Sequence, residues 1–340
     1  MKPRTVKLPT EAMIAVNLQC NARCVMCGIW RLKERGTLTA ADYANLPDTL
    51  ERVGITGGEP FMRDDIAALI RAIHVAAGAP QIVVSTNGYL TSRILSTVEA
   101  LDDLRPRIGF GISVDGIGPT HDRIRGTRHA FEKALRTIDA LKRAGVGNLR
   151  ISFTILNDNV DEMPAVYELS RELGIEFCSQ VAHNSQLYYR TASNTAVDPA
   201  KLKRSIARIN ERELASFTPK PWFRAYFNSG IVEHNEHARR LVDCDALDRF
   251  FYLSPHGDVY PCLFVQSPVG NITQQSFESL WLDERRRRVR HDVSGCESCW
   301  LMCTSRTGLI HKAHAAVGWV VKEQARRAFA AGRRLSTSRA

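Results

Sequence analysis

The sequence predicts an α/β fold, a parallel sheet built from six strand–helix units with a smaller α+β module after it. Three observations predict it. Between residues 13 and 209, short apolar runs alternate with stretches whose apolar residues recur at helical spacing, which is how parallel strands with crossover helices read. The first four strands end on cysteine-bearing, glycine-rich, Asn-Gly and Asp-Gly motifs, and in parallel α/β architectures such strand ends converge on one rim. From about Trp222 the rhythm breaks and cysteines gather, marking the second module. Periodicity by itself leaves a partial barrel and a flat doubly wound sheet open.

The first strand is read at residues 13–18, leading into the cysteine loop. Thr39 reads as the N-cap of a short helix that Pro47 stops. The second strand, 52–57, precedes a helix marked by Ile66, Leu69, Ile70 and Ile73. Strand three, 81–86, is followed by Ile94, Leu95, Val98 and Leu101. Strand four, 107–113, is followed by Phe131, Leu135, Ile138 and Leu141, with Gly145 as the helix C-cap. Strand five, 149–155, leads to Met163, Val166, Tyr167 and Leu173, and strand six, 176–182, to Leu202, Ile206 and Ile209. In the second module, residues 250–254 and 258–262 flank Pro255-His-Gly257 as a β-hairpin, and 276–290 reads as one helix. This divides the chain into 1–220, 221–305 and a basic amphipathic tail, 306–340.

Hydrophobic residues make up 44% of the 340, which is ordinary for a globular protein. No run approaches the roughly 20 apolar residues that span a bilayer, and no apolar segment follows Met1, so a cytoplasmic protein is expected. Nine cysteines in such a chain favour metal or redox chemistry over disulfides. The net charge of +10 lies entirely from Arg285 onward, where 13 Lys and Arg face 3 Asp and Glu. The rest is formally neutral, which argues against nucleic acid as a partner.

Cys20-Asn-Ala-Arg-Cys24-Val-Met-Cys27 places three soft thiolates in one loop. Thiolates select iron–sulfur clusters or zinc, and three of them leave one iron of a cubane open. The second strand ends Gly57-Gly58-Glu59-Pro60, whose glycines let backbone approach a ligand. The third ends Ser85-Thr86-Asn87-Gly88 and the fourth Ser113-Val114-Asp115-Gly116, with Arg125 shortly after. Singly, these are turn residues. Together and in this order they resemble the radical S-adenosylmethionine (SAM) superfamily. The resemblance implies a partial (βα)6 barrel and a [4Fe-4S] cluster on Cys20, Cys24 and Cys27 whose open iron chelates SAM. Electron transfer from a flavodoxin- or ferredoxin-type donor then yields a 5′-deoxyadenosyl radical that takes hydrogen from a substrate. By the same resemblance Gly57, Gly58 and Glu59 meet the SAM ammonium, Thr86 and Ser113 offer hydroxyls, and Arg125 clamps the methionyl carboxylate. Met26 departs from the family, which often has an aromatic residue there. Asn157 is read either as part of the adenosine pocket or as a turn residue.

Cys244, Cys262, Cys296, Cys299 and Cys303 resemble the auxiliary-cluster modules called SPASM and twitch. Five thiolates complete one auxiliary [4Fe-4S] cluster, so a twitch-like or shortened SPASM module is expected, with Cys244, Cys262, Cys296 and Cys299 as ligands and Cys303 able to replace one of the last pair. Zinc is the alternative that spacing leaves open. Cys178, in the sixth strand, is read first as a small buried hydrophobe and second as a hydrogen-atom donor. His183 follows the same strand as a substrate-binding residue or base. In the tail, Ile310, Ala313, Val317, Val320, Val321 and Phe329 form a stripe beside basic residues. It reads as a helix docked on the barrel, with peripheral contact at the inner membrane surface as the alternative. The activity ranked first is dehydrogenation of a small or carrier-linked sugar or aminocyclitol, and epimerisation with Cys178 or Cys303 as donor comes second. A ribosomal-peptide maturase is the alternative. A non-catalytic thiolate-metal protein for nucleic acid is the reading from another class.

Overall fold

The computed structural model describes the backbone of residues 7–337 and side chains as far as residue 327. Six strands pair in parallel in sequence order: β1 (Glu11–Ala15), β2 (Arg52–Thr56), β3 (Gln81–Thr86), β4 (Ile108–Ser113), β5 (Asn148–Ile155) and β6 (Glu176–Val181). Their outward residues, such as Val53, Ile55, Ile82, Val84, Ile151 and Phe153, are buried under the crossover helices. Those helices are α1 (Ile66–Ala76), α2 (Thr91–Ala100), α3 (Pro119–Arg125), α4 (Ala130–Arg143), α5 (Met163–Glu172) and α6 (Pro199–Leu214). Inward residues from all six strands line one cavity of about 1140 Å³, so the sheet is curved into a partial barrel.

The anticipated hairpin, β7 (Phe250–Leu253) and β8 (Asp258–Tyr260), forms with Gly257 at positive φ in its turn, and a short β9 (Gly270–Asn271) follows. It is not a detached module. β7 pairs in parallel with β1, giving one nine-stranded sheet in the order β6-β5-β4-β3-β2-β1-β7-β8-β9.

Four local expectations change. β1 begins two residues before the apolar run, because Glu11 faces the interior and bonds Arg306 there. A long helix that the sequence reading did not place, α7 (Pro219–His237), runs across residue 220 and packs on α6. Its wide mixture of Phe223, Tyr226, Phe227, Asn228 and Gly230 hides any single stripe. The helix expected over 276–290 is two, α8 (Phe277–Leu282) and α9 (Glu284–Asp292), because Asp283 leaves the helical region to cap the second. Asn157 does more than a simple turn residue would. Its carboxamide donates to the Ala196 carbonyl at 2.7 Å and accepts from the Asp198 amide at 2.7 Å, tying down the loop before α6.

Two helices end the chain, α10 (Arg306–His311) and α11 (Ala313–Thr337). Ala316 and Val320 are buried and Trp319 meets Tyr226 of α7 at 5.8 Å, so the centre of the stripe is spent on docking to the barrel. Val317 and Val321 stay exposed, and the side chain of Phe329 lies outside the described residues. No described helix is long and apolar enough to cross a membrane.

Candidate functional site

The cysteine loop is held from two sides at the strand C-termini. Arg23 and Val25 donate their amides to the carbonyls of Arg125 and Ile124 at the end of α3. On the other side Glu59 donates its amide to the Gln19 carbonyl at 2.6 Å. This contact requires glycine next door, since a Cβ on Gly58 would lie 2.0 Å from the Gln19 oxygen. Burial pushes the Cys20 thiol up to about 12 and the Cys27 thiol up to about 11. Thiols this hard to ionise alone are suited to an ion that displaces their protons.

Glu59 is fully buried, and its carboxylate accepts from Thr86 Oγ1 at 2.7 Å and the Asn87 amide at 2.8 Å. Burial, against those donors, pushes its carboxyl up to about 7. Thr86 thus spends its hydrogen on Glu59, whereas the Ser113 hydroxyl, in the cavity wall, has no hydrogen bond among the described residues. Arg125 is nearly buried, with Nε 2.6 Å from Asp115 Oδ2 and Nη1 3.6 Å from the Cys24 sulfur. Asp115 is wholly buried and also accepts the Thr154 amide at 2.7 Å, while its own amide donates to His121 Nδ1 at 2.9 Å. The Asp-Gly pair is therefore more than a turn. It delivers a counter-charge to the arginine that faces the triplet.

The cavity runs from this rim down the barrel. Strands supply Ser85, Ser113, Ser152, Thr154 and Gln180 to its lining beside Met13 and Val83, and α7 and residues 301–310 supply Phe223, Phe227, Leu301, Met302, Leu309 and Ile310. Cys178 points into this space and is exposed, 3.5 Å from Ser152 Oγ, so it is not the buried hydrophobe that its strand position suggests. His183 lies at the same wall with its ring 5.3 Å from Phe264 and 6.2 Å from His234, and burial pushes its imidazole down to about 4. The sign follows directly. A histidine with a lowered folded pKa contributes stability that is full above about 6.5 and lost as pH falls toward about 4. His183→Gln is expected to flatten that acid loss by up to about 3 kcal/mol, measured by denaturant melts from pH 7 to 4. An unchanged slope would show that His183 does not carry it.

The five late cysteines lie in one region, each within electrostatic range of at least two others, although no three His, Cys, Asp or Glu side chains among the described residues are already grouped closely enough to hold a metal ion. Burial raises the Cys262 thiol to about 11 and the Cys299 thiol to about 12. Of the five, Cys303 alone lines the barrel cavity. A buried arginine missed by sequence reasoning, Arg240, closes the far side. It donates to the Thr304 carbonyl at 2.7 Å and Ser305 Oγ at 2.8 Å, and its Nη1 is 3.6 Å from the Cys299 sulfur. It has no carboxylate partner among the described residues, and a buried cation without one favours an anionic group beside it.

Two family profiles match the chain. The profile of the radical SAM superfamily matches residues 15–170, and that of the iron–sulfur cluster-binding domain SPASM matches 244–304. The chain belongs to the radical SAM superfamily. This radical SAM enzyme cleaves SAM at a [4Fe-4S] cluster and carries an auxiliary iron–sulfur site in a SPASM domain that spans all five late cysteines. It is 27% identical to the pre-heme d1 synthase of Dinoroseobacter shibae over 87% of this chain and 81% of that one. It is 25% identical to the antilisterial bacteriocin subtilosin biosynthesis protein AlbA of Bacillus subtilis, over 81% of this chain and 60% of that one. Its fold matches Streptococcus suis SuiB bound to S-adenosylmethionine with a TM-score of 0.64 at 20% identity, covering 86% and 71% of the two chains. These relatives work in heme and bacteriocin biosynthesis, so the sugar or aminocyclitol substrate ranked first from sequence finds no support among them.

Proposed function

We propose that this radical SAM enzyme oxidises a peptide, as a maturase acting on a ribosomal product. The observation that carries the reading is the mixed lining of the cavity. Hydroxyls and carboxamides at alternate strand positions suit the amides of an extended peptide, and the aromatic and aliphatic residues from α7 and 301–310 suit its side chains. Kinship to the bacteriocin-biosynthesis protein supports it. A tetrapyrrole substrate is the second reading, favoured by the pre-heme d1 synthase, which aligns over most of both chains.

Cys20, Cys24 and Cys27 would hold the SAM-binding cluster, and Cys244, Cys262, Cys296 and Cys299 the auxiliary one. When bound, the first supplies an electron that splits SAM to a hydrogen-abstracting radical, and the second can take up the electron that the substrate gives back. The chain's own part is positioning. Glu59 and its Gly57-Gly58 turn shape the rim, Ser113 keeps a free hydroxyl there, and Arg125 places positive charge beside Cys24. His183, held neutral by burial, can accept a hydrogen bond or a proton at the substrate wall. A flavodoxin- or ferredoxin-type protein would deliver the first electron.

The test is anaerobic turnover of the iron-loaded enzyme with SAM and reductant against a displayed library of ribosomally made peptides, read by mass spectrometry. Loss of two hydrogens from selected peptides, with matching 5′-deoxyadenosine, is expected. Turnover of an iron porphyrin carboxylate with no peptide modified would establish the second reading instead.

A further inference from the structure

The cavity does not end at the middle of the barrel. At the N-terminal ends of the strands it is lined by Glu11, Arg52, Gln81, Asn148, Arg150 and Glu176, with Glu213, Lys220, Arg224 and Arg306 contributed from the opposite wall. Most of these charges are matched. Arg306 pairs with Glu11 at 3.0 Å, Lys220 with Glu176 at 2.8 Å, and Arg224 with Glu213 at 2.9 Å and with Glu176. Two are left. Arg52 and Arg150 have no ion pair among the described residues. Arg150 makes one side-chain bond, to Asn148 Oδ1 at 3.3 Å, and its Nε is buried without an acceptor.

Backbone choices keep this arrangement open. Arg150 sits at an inward position of β5 beside Gly111 of β4, where a Cβ would lie 2.9 Å from Ser152 Oγ and 3.6 Å from Arg150 Cγ. Glycine there spares the Ser152 hydroxyl a close contact and leaves Arg150 at ordinary packing distance. Arg306 and Arg150 repel Arg52, and Glu11 and Glu51 offset part of that repulsion, so the two unpaired arginines leave the half-buried floor with an excess of positive charge. Such an excess is costly unless an anion completes it.

We infer that Arg52 and Arg150 form an anchoring site for a carboxylate of the substrate, at the end of the cavity opposite the cysteine triplet. The planar guanidinium fork matches a carboxylate with two parallel hydrogen bonds, which a neutral or cationic group does not offer. The site rests on the reading of this cavity as the substrate's. It does not rest on the choice between peptide and tetrapyrrole, both of which can bring a carboxylate. β2 separates Arg52 from Thr56 by four residues, so the anchor lies roughly 13 Å below the rim. At that depth it sets which substrates seat and in which register, and it takes no part in the bond that breaks.

The experiment uses the full-length, iron-loaded enzyme and a fluorescent probe, pyrenebutyrate, beside its methyl ester and the corresponding pyrenebutyl phosphate, with binding followed by anisotropy. Wild type is expected to bind the acid at least about tenfold more tightly than the ester, the worth of one charge-assisted pair. Arg150→Gln and Arg52→Gln are each expected to remove most of that preference, Arg150→Lys to keep part of it, and the surface change Arg71→Gln to leave it intact. Each variant is compared only at wild-type iron content and melting temperature; Arg150→Lys serves where the glutamine variant fails that check. Equal binding of acid and ester, preference for the phosphate, or a full preference in Arg52→Gln/Arg150→Gln would overturn the inference. Peptide oxidation that survives such a result would refute the anchor and leave the maturase reading standing. An acid preference with no peptide turnover would do the reverse.

Discussion

Replacing Asp115 with alanine is expected to lower the stability of the cluster-free protein by about 3–5 kcal/mol, the usual cost of leaving one half of a buried ion pair. Asp115 is wholly buried, and Arg125, whose Nε lies 2.6 Å away, is nearly so. The same carboxylate accepts the Thr154 amide, and the Asn159 carboxamide grips the Asp115 carbonyl at 2.9 Å. Alanine therefore removes a counter-charge and loosens the junction between β4 and β5 at once. Arg125→Met in the same chain should recover part of the loss, because the stranded charge goes with it. Denaturant melts of the four chains in this cycle measure the coupling. A loss below about 1 kcal/mol for Asp115→Ala would mean that the guanidinium finds another partner and that the pair does not hold the rim.

Removing single cysteines should split the iron content in two. Cys24→Ala is expected to lose about four of about eight irons and all SAM cleavage, since a cubane cluster needs its protein thiolates. Cys244→Ala is expected to lose a similar share while still forming 5′-deoxyadenosine. Iron and sulfide counts with a SAM-cleavage assay check both. A Cys244→Ala chain that keeps about eight irons would transfer the fourth auxiliary ligand to Cys303. Cys178→Ala discriminates further, because an epimerase with Cys178 as its hydrogen donor would stop making product and a dehydrogenating maturase would not.

The outer half of the fold was readable and the inner half much less so. Strands such as β2 and β3 announce themselves because their outward residues, Val53, Ile55, Ile82 and Val84, must bury against helices. The inward residues of the same strands face a cavity, where burial imposes no single chemistry. Arg150, Ser152 and Thr154 alternate with Leu149, Ile151, Phe153 and Ile155, and only the structure shows that this period of two lines a cavity. Cys178 was misplaced for the same reason. The triplet and the motifs after β2, β3 and β4 were legible as a set because family spacing is specific. Arg240 carried no such signal, since its neighbours Cys299, Thr304 and Ser305 lie 59 to 65 residues away in the chain.

The pairing of β7 with β1 reaches beyond topology. Severing the chain before the hairpin would strip β1 of one neighbour and leave a naked row of amides and carbonyls on a central strand, the kind of edge that recruits other chains. The two iron–sulfur modules thus stand or fall as a unit. Neither is a cassette to be cloned away from the other, and an electron that passes between them crosses a single continuous scaffold.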